Sequence, residues 1–221
     1  EPANGPPTLG MATYPVPVER YRRFFTEGVT LAVAGFQHSS SYDLVPPRVK
    51  HRSRLFWHVA ARTLADPKSE LYWRVPGVAA ADPAVVPVVL NGGGAGDTAI
   101  GTVLVVLGDT ILGPVPGTVQ DGISARVVAE LCGGLGLRTH YDAPLDLGCF
   151  ARPLQPWDEK SILPRVSELL LVGTGFCIAG VRRFGLRDQY RDAAWPGPVV
   201  RRLLAAWSDL VGVDLAKAFA G

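Results

Sequence analysis

The chain has 221 residues, 48% of them hydrophobic, and carries 22 Lys and Arg against 20 Asp and Glu for a formal net charge of +2. That length and apolar content suit one large domain, or one domain plus a fragment of another. So small a charge excess, with the arginines scattered, excludes a nucleic-acid footprint, and every apolar run breaks well short of the ~20 residues a membrane span needs.

In chain order, residues 1–18 are rich in Pro and Gly and read as extended, and residues 18–27 read as either a short helix or a linker. Residues 30–36 (TLAVAGF) read as a strand, followed by a polar loop over 37–47. Pro46 and Pro47 prevent a helix from starting before about Arg48. Residues 53–65 carry apolar residues at Leu55, Val59 and Leu64, with Phe56 and Ala60 beside them, which predicts an amphipathic helix with Ser53 as N-cap. Residues 71–75 and 85–90 read as strands, and 91–96 (NGGGAG) as a glycine-rich turn. Residues 102–107 and 110–112 read as a strand pair joined through Gly108-Asp109. Residues 124–135 predict a helix frayed by Gly133 and Gly134, while 154–163 is ambiguous. A buried strand is expected over 168–172, and another over 176–181. A helix is expected over 198–211 with Pro198 in its first turn, then a short terminal helix over 214–220. Strands and helices alternate without strict βαβ order, so the class is α+β with a mixed sheet.

Cys132, Cys149 and Cys177 are odd in number and widely spaced, which fits neither zinc ligation nor a disulfide framework. They read as reduced thiols of a cytoplasmic protein. No signal peptide is visible, and the chain, which begins with Glu1 instead of Met, reads as a processed or truncated product.

The chemistry-bearing candidates are few. Of four lysines, Lys68 and Lys160 sit among acids and read as solvated, and Lys217 is near the terminus. Lys50 lies just ahead of an apolar helix beside His51, Arg52 and Arg54, a cationic neighbourhood that favours the free amine as a nucleophile. The competing reading is a basic helix start that solvates itself. Three segments could hold a phosphate. Gly122-Ile123-Ser124 opens a helix, Gly173-Thr174-Gly175 follows the buried strand, and residues 91–96 form the third. Each alone is equally an ordinary turn; none matches a nucleotide-binding fingerprint.

Taken in order, these segments resemble the fold-type IV pyridoxal-phosphate (PLP) enzymes: branched-chain and D-amino-acid aminotransferases and aminodeoxychorismate lyases. Residues 46–55 (PPRVKHRSRL) are similar to the segment holding the family's PLP lysine, which implies Lys50 as the Schiff-base residue and Arg54 beside the cofactor. Residues 96–105 (GDTAIGTVLV) resemble the strand whose Glu meets the pyridine nitrogen; Asp97 stands in that place, and Thr102 replaces an Asn five residues on. Residues 122–126 (GISAR) resemble the family's phosphate turn, which implies Ile123 and Ser124 as ligands. An extra Ala125 displaces the family's Arg there. Residues 167–175 (SELLLVGTG) resemble the strand and Gly-Thr turn that touch the phosphate, which implies Gly173 and Thr174. Residues 197–199 match the closing segment.

The resemblance covers roughly residues 8–213. It implies a D-amino-acid-aminotransferase-like fold, with a mixed sheet or pseudo-barrel, flanking helices and an N-terminal small domain largely missing from this chain. The implied division is a remnant of that domain over 1–20, a linker over 21–29 and a large PLP-binding domain over 30–221. It implies PLP as cofactor, amino acid and 2-oxo acid substrates of branched-chain type, and a homodimer, with neither nucleic acid nor membrane as partner. A PLP lyase acting on aminodeoxychorismate is the near alternative. Asp97, Thr102 and the missing domain also leave open a non-catalytic binding or structural subunit, or a small-molecule phosphate binder without a Schiff base.

Overall fold

In the computed structural model, residues 11–35, 50, 55–90, 96–141 and 165–221 are described. Helix α1 (Val18–Thr26) leads into strand β1 (Val29–Gly35), and helix α2 (Leu55–Ala65) precedes β2 (Val85–Leu90), β3 (Gly96–Thr98), β4 (Thr102–Leu107) and β5 (Thr110–Leu112). Helix α3 (Ile123–Leu135), β6 (Arg138–His140), β7 (Glu168–Gly173), β8 (Cys177–Leu186) and β9 (Gln189–Asp192) follow, with α4 (Pro198–Val211) and α5 (Leu215–Ala220) at the end.

The strands run in the order β3-β2-β1-β8-β7-β4-β5-β6, with β9 on β8. A pairing of Asp97 with Thr102 joins β3 back to β4, so six strands close into a ring. Strand β1 is parallel to both β2 and β8, whereas β7 is antiparallel to β4 and β8. The sheet is therefore mixed and barrel-like, with helices outside, as the sequence led us to expect. Closure also explains the unbroken apolar runs: all six residues of β7 are buried, as are the first five of β4. Strands covered on both faces need no polar alternation.

Alternate residues of β1 serve two cores. Val29, Leu31 and Val33 join the large interior cluster with Val103, Leu170, Phe176 and Phe184. Ala32 and Ala34 face the other way, packing with Ala60 and Leu64 of α2 and with Trp73. Helix α4 buries Val199, Val200, Leu203 and Trp207 as one face, with Pro198 in its first turn and Gly212 as a left-handed C-cap at φ 68°. Residues 18–26 are helical throughout, and Tyr21 and Phe24 enter the large core, with ring centroids 5.2 and 5.4 Å from Phe176.

Two expectations fail. Residues 71–75 form no strand: the Trp73 N–H donates to the Leu64 carbonyl (2.9 Å) and the Arg74 N–H to that of Arg187 (3.0 Å), so no ladder forms. Trp73 is instead a core plug whose indole N–H donates to the Val78 carbonyl at 2.9 Å. Helix α3 also runs intact through Gly133 and Gly134 and ends at Gly136, whose φ of 67° supplies the left-handed cap. Its N–H donates to the Cys132 and Gly133 carbonyls, so the stop signal is the third glycine. Ser53, the expected N-cap, and residues 154–163 lie outside the described residues, as does Cys149. Cys132 and Cys177 are free thiols. Among the described residues, no helix is long and apolar enough to cross a membrane.

Candidate functional site

Ring closure brings distant segments to one place. Asp97 pairs with Thr102, and Thr102 in turn pairs with Val172, so β3, the start of β4 and the end of β7 lie side by side. A cavity of about 860 Å³ opens there, and Lys50, Asp97, Ile123, Ser124, Gly173 and Thr174 all line it. Six of the seven residues singled out from the sequence thus face a common space; the seventh, Arg54, lies outside the described residues.

Two glycines set the cavity's floor. A Cβ on Gly101 would sit 2.2 Å from the Val172 carbonyl oxygen, and one on Gly173 would sit 2.2 Å from that of Ile100. Backbone against backbone, neither could move aside, so the 98–101 turn seats against β7 only with glycine at both positions. The Thr98 hydroxyl holds that turn: it donates to the Gly101 carbonyl (2.6 Å) and accepts from the N–H groups of Ile100 (3.2 Å) and Gly101 (2.9 Å).

Asp97 is the buried acid of the cavity, 7% exposed. Its Oδ1 accepts from the Thr98 N–H at 3.0 Å. Burial pushes its carboxyl from 3.8 up to about 7, against the opposing pull of the Thr98 and Gln120 backbone N–H groups. At neutral pH it is poised between acid and carboxylate, and a cationic partner would hold it ionised.

The first turn of α3 presents the opposite charge preference. Its N-cap is Gly122, no side chain caps the free N–H groups, and no acid lies in the first turn. Ser124 is buried, and its hydroxyl has no hydrogen-bond partner among the described residues. Free N–H groups, the helix dipole and an open hydroxyl together favour an anion. Lys50 lines the cavity as an exposed amine, and Thr174 is exposed to the same space.

Sequence reasoning passed over Arg20 and Tyr21 of α1, which also line the cavity. A signal existed in the run of three arginines and two acids over 19–27, one cation more than the acids can pair. It also passed over Thr98, whose role depends on a turn that only the ring closure defines.

No family model matches the sequence, and no curated protein does. Solved structures do match. A 4-amino-4-deoxychorismate lyase from Pseudomonas aeruginosa superposes with a TM-score of 0.58 at 17% identity, over 90% of this chain and 60% of its own. A branched-chain amino acid aminotransferase from Thermobaculum terrenum, in its PLP form, gives 0.56 at 16% over 83% and 51%. An aminotransferase from Brucella abortus bound to PLP gives 0.55 at 20% over 84% and 54%. The chain thus has the fold these enzymes share, the fold-type IV fold, and spans between half and two thirds of their length.

Proposed function

We propose that the cavity holds pyridoxal 5′-phosphate and that the chain acts as an aminotransferase, exchanging an amino group between an amino acid and a 2-oxo acid of branched-chain type. The observation that carries this reading is the convergence of an amine, a buried carboxyl and two open hydroxyls in one space: Lys50, Asp97, Ser124 and Thr174.

This donor set fits the cofactor. The α3 N-terminus, with the unpartnered Ser124 hydroxyl, suits a phosphate dianion, and Thr174 at the end of β7 adds a second hydroxyl. Asp97 suits a protonated ring nitrogen, because that cation would offset the burial that now raises its pKa. When bound, the cofactor supplies an electron sink for the bond broken at the substrate's α carbon. Lys50 has two tasks in this reading. Its Nζ would be the nucleophile that holds the cofactor in the resting protein; once displaced by the substrate amine, it would move the proton from the substrate's α carbon to the cofactor's former carbonyl carbon. Such positioned proton transfer is typically worth ~10²–10⁴-fold. A homodimer in the cytoplasm accompanies the proposal, and Leu55 and Val59, exposed on α2, are available for such a contact.

The likeness to the P. aeruginosa lyase, over 90% of this chain, favours a second reading in which the same lysine and phosphate site serve a PLP lyase. Product analysis with an amino acid and with aminodeoxychorismate separates the two.

The test is visible absorbance on titration with PLP. The expected result is a band that borohydride fixes to the protein and that Lys50→Ala lacks. No band with excess PLP would sink both PLP readings.

A further inference from the structure

Helix α1 carries three arginines, and they are not equivalent. Arg22 pairs with Glu19 at 2.7 Å, and Arg23 pairs with both Glu27 and Asp82 at 2.6 Å. Arg20 lines the cavity and has no carboxylate partner among the described residues. Arg126, another cation of the cavity wall, already faces Asp121 at 3.8 Å.

Tyr21, next to Arg20, is 7% exposed, and its ring is fixed in the core by Phe24, Phe176 and Phe219 at centroid distances of 5.5, 5.2 and 6.4 Å. Its hydroxyl has no hydrogen-bond partner among the described residues, although Tyr21 is one of the cavity's walls. The hydroxyl lies against the glycine turn after β7: a Cβ on Gly175 would sit 2.7 Å from it, one residue from Thr174. An arginine with no carboxylate partner among the described residues and a phenol with no hydrogen bond there, consecutive in sequence, therefore line the cavity that Thr174 also lines, with the phenol against the turn that bears it.

We propose that Arg20 and Tyr21 form an oxyanion subsite that binds the phosphate monoester of the cavity's ligand together with Thr174. A guanidinium meets phosphate oxygens with paired N–H donors, and the phenol adds a third. Because the Tyr21 ring is packed before any ligand arrives, little ordering entropy opposes binding. The subsite rests on the cofactor reading above, but it makes no use of Lys50.

The test uses pyridoxine 5′-phosphate, which has no carbonyl and needs no lysine, and pyridoxine, which has no phosphate. Both are titrated calorimetrically into the full chain, as wild type, Arg20→Gln and Tyr21→Phe. Arg20 is exposed and Tyr21→Phe keeps the packed ring, so both variants should fold. The expected result is that Arg20→Gln loses on the order of tenfold or more of the affinity advantage given by the phosphate, and Tyr21→Phe on the order of fivefold. Pyridoxine binding should not change in either. An unchanged phosphate advantage in both variants overturns the subsite. So does an unchanged advantage combined with weakened 2-oxoisovalerate binding, which would reassign the pair to a substrate carboxylate. The two proposals fail separately. Arg20-dependent phosphate binding without a Lys50-dependent band keeps the subsite and ends the aminotransferase reading. A Lys50-dependent band with an Arg20-independent phosphate advantage does the reverse.

Discussion

Strand β4 has a buried acid near each end. Asp97 pairs with its first residue, Thr102, while Glu168 pairs with Val106, four residues further along, or about 13 Å at ordinary strand rise. Glu168 is 1% exposed and accepts from the N–H groups of Val199 (2.7 Å) and Val200 (2.9 Å), so it caps the first turn of α4 from across the fold. The fit leaves no space: a Cβ on Gly197 would lie 2.0 Å from its carboxyl carbon. Asp97 is almost as buried, but its donors, the N–H groups of Thr98 (3.0 Å) and Gln120, come from residues that line a cavity, and so does the acid itself. Both acids are sequestered and both accept backbone N–H groups, yet only Asp97 borders a cavity. Burial therefore does not separate a structural acid from a candidate functional one; what lies beside the carboxyl, a filled helix end or an open cavity, does.

The sharpest break of that contrast is Glu168→Ala, which leaves two N–H groups of α4 buried without acceptors. It should cost about 3 kcal/mol in urea unfolding while the folded protein keeps its affinity for pyridoxine 5′-phosphate. Wild-type stability in this variant would remove the capping role.

Asp97→Asn should do the opposite at alkaline pH. The folded pKa of Asp97, about 7, lies above its ordinary 3.8, so the folded state binds the proton more tightly than the unfolded chain. The stability tied to that proton is fully present below about pH 3.8 and is lost as pH rises through about 7. The amide removes the buried charge, so the variant should match wild type near pH 3.5 and exceed it by on the order of 4 kcal/mol at pH 8. A gain that does not vary with pH would mean that Asp97 does not titrate as the buried acid of the cavity.

Ser124→Ala gives the smallest effect and tests the binding side alone. With no partner to lose among the described residues, its stability should stay within about 0.5 kcal/mol of wild type, while phosphate affinity in the same calorimetric titration falls about fivefold. A clear loss of stability would show that the hydroxyl has a structural task.

Much of the local structure was legible because it depends on neighbours in sequence. Pro198 and Gly212 bracket α4, whose span matches the expected 198–211, and Gly108, with φ 59°, makes the turn between β4 and β5 where Gly108-Asp109 was expected. The site residues were legible through the order of their motifs and not through local chemistry, since each segment alone was equally an ordinary turn. Legibility ended where contacts are long-range. Residues 71–75 have strand-like composition, but Trp73 and Arg74 find their backbone acceptors on Leu64 and Arg187 and join no ladder. The three arginines of α1 look alike in sequence, and only the packed helix pairs Arg22 and Arg23 with acids while leaving Arg20 to the cavity. By itself, then, the sequence determined most of the longer strands and helices and the first turn of α4, because periodicity and proline act over a few residues, while the short strands β6 and β9 and the Gly136 cap of α3 escaped it. Closure of the ring, the contrast between Asp97 and Glu168 and the membership of the cavity were decided by tertiary structure, because each depends on which distant backbone groups meet.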